Sequence, residues 1–113
     1  MQRPLFVFII NAALTETLAA GAALFRERHG HVLDVRMFAT HDIEEETVSA
    51  RTVAESLEAA SMVFLDIRGG GKSLGICHRV LDGTDQPVAL LLGGSPDLMS
   101  LLRLGSFSMT SIL

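Results

Sequence analysis

The chain has 113 residues, enough for one domain around one core. Thirteen acidic residues against nine basic ones give a net charge of −4 with no basic cluster, which argues against a nucleic-acid or anionic-membrane surface. Hydrophobic residues make up 49% of the chain and Trp and Tyr are absent, so the core must be aliphatic, of the kind buried parallel strands use.

The first element is the apolar run Leu5–Ile10, too short for a helix and rich in β-branched and aromatic residues, which reads as a buried strand. It is also far below the ~20 residues of a bilayer span, and it meets Asn11 too soon for a secretory signal. From Ala12 to His29 the residues Leu14, Leu18, Ala22 and Phe25 recur at helical spacing. Arg26, Arg28 and His29 gather in the last turn and Gly30 follows as a stop signal, so a helix is predicted here. Val32–Phe38 carries Asp34 and Arg36 and suits a less covered strand at a sheet edge. A polar stretch from Thr40 to Glu46 leads to a helix over Thr47–Ala60, with the acidic run Glu44–Glu46 read as favourable charge at its start.

Met62–Asp66 is the third strand, followed by the glycine loop Gly69–Gly71 and a short helix from about Ser73 to Leu81. Turn residues Asp82–Asp85 break that helix, and Val88–Leu92 gives a fourth buried strand. Gly93–Asp97 then opens a last helix through Leu102, with Ser95 as its cap and Pro96 in its first turn. The alternation predicts a three-layer, flavodoxin-like open parallel sheet of about four strands, order 2-1-3-4, with helices on both faces. Residues 1–113 are read as a single α/β domain. The uncapped apolar stretch Gly105–Leu113 is read as the sign of a piece from the N-terminal part of a longer chain, or of a fold completed by a partner. The lone Cys77 excludes an internal disulfide and fits a reduced, cytoplasmic compartment.

The stretch FLDIRGGGKS invites comparison with a phosphate-binding loop. Aligning Gly71, Lys72 and Ser73 with the tail of G-x-x-x-x-G-K-[ST] places Asp66 where the leading glycine belongs, and its charge would oppose a triphosphate. The later strand runs into Gly93 and Gly94 and offers no acidic metal ligand. What remains is a strand end followed by a helix start, where backbone amides can face a ligand. The bland alternative is a tight turn with a solvated Lys72. With the second glycine loop beside it, the candidate ligand-binding residues are Asp66, Arg68, Gly69, Gly70, Gly71, Lys72, Ser73, Gly93, Gly94 and Ser95. Asp66 also suits an acid or base, a cap of the turn, or a partner for Arg68. Cys77 with His78, and His29 with His31, are read as capping or surface residues and not as metal ligands, and no catalytic residue is assigned.

The stretches FLDIRGGGKS, PVALLLGGSPDLMSLLRLGSFSM and LFVFIINAALTETLAAGAALF resemble the N-terminal region of the large subunit of cobaltochelatase and of its counterpart in magnesium chelatase. Leu33–Phe38, Ile43–Glu46 and Ala59–Leu65 echo the same family pattern. The resemblance spans essentially all of this chain and about a tenth of a full-length family member. It implies an N-terminal domain of a metal-inserting enzyme of tetrapyrrole biosynthesis. Its partners would be the remainder of the large subunit, AAA+ ATPase subunits that hydrolyse ATP, and a tetrapyrrole that receives cobalt or magnesium. By the same resemblance this piece binds no cofactor of its own and is inactive alone. Two other readings stand beside it: a flavodoxin-like small-ligand module, and a structural docking domain with no ligand.

Overall fold

A computed structural model describes residues 3–67, 71–83 and 85–90 and two short strands, at 103–104 and 107–108. The elements run β1 (Leu5–Ile10), a 3-10 turn (Ala12–Leu14), α1 (Thr15–His29), β2 (Asp34–Ala39), α2 (Thr40–Glu44), α3 (Ala50–Ala59), β3 (Met62–Leu65), α4 (Gly71–Leu81), β4 (Val88–Leu90), β5 (Arg103–Leu104) and β6 (Phe107–Ser108). β1 to β4 are parallel in the order 2-1-3-4, so the polar second strand does lie at the edge. The fold is the three-layer, flavodoxin-like α/β arrangement. Right-handed crossovers in that order send α1 to one face and α3 and α4 to the other.

The sheet continues beyond β4 as an antiparallel ribbon of β5 and β6. Only Gly105 and Ser106 separate β5 from β6, a spacing that suits a hairpin. The expected helix from Gly93 to Leu102 and the end of the fourth strand at Leu91 and Leu92 lie outside the described residues.

Strand register sorts the side chains into two sets. Val7, Val63 and Val88 form one cross-strand row and Ile9 and Leu65 belong to the next, all fully buried. Against this face pack Val53 and Leu57 of α3, Ile43 of α2 and Leu74, Cys77 and Leu81 of α4. Arg36 of the edge strand ends the Val7 row, and its guanidinium donates to the Oγ of buried Ser56 on α3 at 3.0 Å, which accounts for a charged residue in that strand. The opposite face carries Phe6, Phe8, Met62, Phe64, Val35 and Met37, all half-buried, and Ile10, which is buried at the end of β1. Phe8 stacks on Phe64 at 4.5 Å, and Phe6 tilts against Phe64 at 5.6 Å. Over this face lies α1, none of whose residues is buried.

Local chemistry sets the helix ends. Asn11 caps the 3-10 turn through Ala13 N, and Gly30, at φ +80, closes α1 with a bond from its amide to Arg26 O. Ser49 starts α3 by accepting from Thr52 N at 3.1 Å, so that helix begins three residues later than its apolar spacing suggests. Thr40–Glu44, read from sequence as a polar connection, forms one further short helix. Its five residues are too few to show a periodic face.

Because the core lies on one face, truncations should be unequal. Leu57→Ala, at a fully buried site, should cost about 2–5 kcal/mol. Leu24→Ala, at a site 46% exposed on α1, should stay within about 0.5 kcal/mol. Urea unfolding of both variants measures the difference.

Candidate functional site

The glycine corner sits at the carboxyl end of the parallel strands, the edge where open α/β sheets bind ligands. Helix α4 starts at Gly71, two residues before the expected start, and its first amides point into the corner. They are not free. The Glu44 carboxylate, at the end of α2, accepts from Lys72 N at 3.0 Å, Ser73 N at 2.7 Å and Ser73 Oγ at 2.8 Å. The expectation of amides open to a ligand is corrected at these two positions, because an internal carboxylate takes the place an external anion would occupy.

A two-part backbone device brings Glu44 there. After α2 the chain turns through Glu46 at φ +60, with Glu46 N donating to Ile43 O at 3.2 Å and Thr47 N to Asp42 O at 3.0 Å. This is the paired-bond helix ending that glycine usually serves, here built with a glutamate. On the other side Gly71 stands at φ +86, and a Cβ on it would collide with Glu44 Oε1. The backbone angle favours glycine at 71, and a Cβ there would also push the Glu44 carboxylate away from the amides.

Lys72 is turned the same way. Its ammonium donates to Glu44 O at 3.2 Å and Glu46 Oε1 at 3.0 Å, tying helix α4 to the acidic run. The run is therefore charge for the start of α4 and not, as its position in the sequence suggests, for the start of α3. Burial pushes the Glu44 carboxyl up, but the bonds from Ser73 and Lys72 and the Lys72 charge outweigh that, and the group is held below its ordinary 4.5.

Of the other sequence candidates, Ser73 is buried and spent on Glu44, and Asp66 is buried at the end of β3, with its amide donating to Ile9 O at 2.9 Å. Arg68, Gly69, Gly70, Gly93, Gly94 and Ser95 lie outside the described residues. Cys77 is a core residue whose thiol burial pushes up to about 12, which leaves it protonated and unreactive at neutral pH. Its neighbour His78 approaches Asp82 at 3.8 Å, His31 is bonded to Asp34 at 2.6 Å, and His29 packs on Phe25. Among the described residues no three His, Cys, Asp or Glu side chains converge, and no helix is long and apolar enough to cross a membrane.

Beside the clasp opens a cleft of about 670 Å³. Ile43 and Ile76 form its apolar lining, and Lys72, Arg79 and Glu46 its charges. Lys72 is partly neutralised by Glu46, whereas Arg79 has no ion pair or hydrogen bond of its side chain among the described residues. Arg79 was missed from sequence because its only signal is its helical spacing, seven residues after Lys72. Glu44 was in view as part of the acidic run, but its role lies 28 residues away along the chain. Compared with protein-family models, curated proteins and solved structures, the chain matches none.

The clasp is testable by pH. Because the Glu44 carboxyl is held below its ordinary value in the folded state, the unfolded state binds more protons in that range. The stabilisation is therefore complete above about pH 4.5 and lost as the pH falls through the depressed value. Glu44→Gln should be less stable than the parent at pH 7, and the difference should shrink on acidification to pH 3, as read from urea midpoints. Gly71→Ala should lose at least the ~1–2 kcal/mol of a left-handed residue with a side chain, because it also displaces Glu44.

Proposed function

We propose that the chain is a non-catalytic binding domain, the N-terminal α/β domain of the large subunit of a metal-inserting tetrapyrrole chelatase of the cobalt or magnesium type. Its setting is the cytoplasm, and ATP hydrolysis belongs to AAA+ partner subunits. The family assignment rests on the sequence resemblance. The observation that carries the binding role is the cleft at the ligand edge, where Ile43 and Ile76 lie beside the cations Lys72 and Arg79. An apolar wall next to cationic side chains suits a flat macrocycle bearing carboxylates, or an acidic surface of a partner subunit. The occupied corner supports the non-catalytic part of the reading. With Glu44 on the first amides of α4, a nucleotide phosphate would have to displace a carboxylate held by three hydrogen bonds.

Titration of the protein with protoporphyrin IX tests direct binding. A saturable shift of the Soret band is expected, weakened about tenfold or more in Arg79→Glu through loss and reversal of one charged contact. An unchanged spectrum at high micromolar protein removes the tetrapyrrole version and leaves the partner-subunit version, which co-purification with the rest of the large subunit then decides. ATP should produce no change in thermal stability at millimolar concentration.

A further inference from the structure

The face of the sheet away from the core contains a second hollow, of about 570 Å³, between α1 and strands β1 and β2. Its floor is aromatic and aliphatic, with Phe6 and Phe8 on β1 and Val35 and Met37 on β2. The roof is α1, which presents Leu18, Ala19, Ala22 and Ala23. Three of those four residues are alanine, and their short side chains leave the space. The volume falls within the ~300–1,000 Å³ of pockets that hold drug-sized molecules.

The mouth is polar and its charges are unequally matched. Asp34 is spoken for: one carboxylate oxygen is 2.6 Å from His31 Nε2 and the other 3.5 Å from Arg3 Nε. The His31 bond, more than the Arg3 charge, holds the Asp34 carboxyl below its usual range despite some desolvation. Arg26 also lines the mouth, one turn before the end of α1, and has no ion pair or hydrogen bond of its side chain among the described residues. Its guanidinium stands at the rim of an apolar hollow, with the nearest lining carboxylate already engaged twice.

We propose that this hollow is a binding site for a small apolar carboxylate, its hydrocarbon or aromatic body lying between α1 and the phenylalanine face and its carboxylate on Arg26. The charge assignment follows from the mouth: an anion completes Arg26 with a planar two-bond contact, whereas a cation would have to compete with His31 and Arg3 for Asp34. The body follows from the lining, beneath which lies the stacked pair of Phe8 on Phe64. The site is separate from the cleft at Lys72 and Arg79 and stands independently of the chelatase reading.

The test uses 1-pyrenebutyrate as a fluorescent probe, with the uncharged 1-pyrenebutanol as its control, on the whole chain. The parent protein should bind the acid saturably and about tenfold more tightly than the alcohol, the size of one charge-assisted contact. Arg26→Gln should bring the acid down to the level of the alcohol and leave the alcohol unchanged. Ala22→Phe, which fills the hollow without touching the core, should abolish both while keeping the parent's unfolding midpoint. Absence of saturable binding, equal affinity for acid and alcohol in the parent protein, or unimpaired binding by Ala22→Phe would each overturn the proposal. So would a dimer by light scattering that excludes the probe and is broken by Ala22→Phe, since the face would then belong to a second copy. Loss of the porphyrin shift in Arg79→Glu with pyrenebutyrate binding intact keeps the two sites apart.

Discussion

The Glu44 carboxylate on the first turn of α4 holds together parts that have little else in common. Helix α2 is a single turn and a half that could not persist alone, and its end is fixed by being drawn to another helix. That contact sets where the chain leaves β2 and places Ile43 in the core. It also favours glycine at 71 and aims Lys72 back at Glu46. A negative charge on the exposed amides of a helix start is favourable in any protein. Here the charge comes from within, so the corner that in many α/β proteins receives a phosphate serves as a joint.

The two faces of the sheet have been finished differently. On one, cross-strand rows of valine, isoleucine and leucine are sealed by three helices and leave almost nothing exposed. On the other, a single alanine-rich helix spans three phenylalanines without burying any residue of its own. Most of the buried apolar area therefore lies on the α3 and α4 side, while the α1 side keeps accessible apolar side chains. The carboxyl edge of the strands lies between these, with an isoleucine-lined cleft carrying Arg79 beside the closed corner. Cations stand at the rims of both apolar hollows, and the one thiol is locked in the core.

The legibility of the sequence varied with the kind of pattern involved. Leu5–Ile10 and Met62–Leu65 were plain because a short apolar run rich in β-branched and aromatic residues has few other uses. The edge position of β2 was legible in Asp34 and Arg36, and Arg36, though exposed, also reaches Ser56 on α3. Helix α2 was not, since five residues give no period to read, and the ribbon β5–β6 was not, since two-residue strands carry no alternation. In the site, Gly71, Lys72 and Ser73 stood out by type and spacing. Which anion they would meet did not.

What the sequence determined by itself is the order of β1 to β4 with α1, α3 and α4 between them and, through it, the parallel sheet and the division of those helices between its faces. Hydrophobic periodicity and glycine and cap residues act over a few positions, and the handedness of crossovers does the rest. What only the tertiary structure decided is who occupies the glycine corner. A carboxylate at Glu44 and amides at Lys72 and Ser73 are 28 and 29 residues apart, and no local rule joins them. Their meeting depends on where β2 ends, how α2 turns and how closely Gly71 can approach, quantities fixed together only when the core has closed.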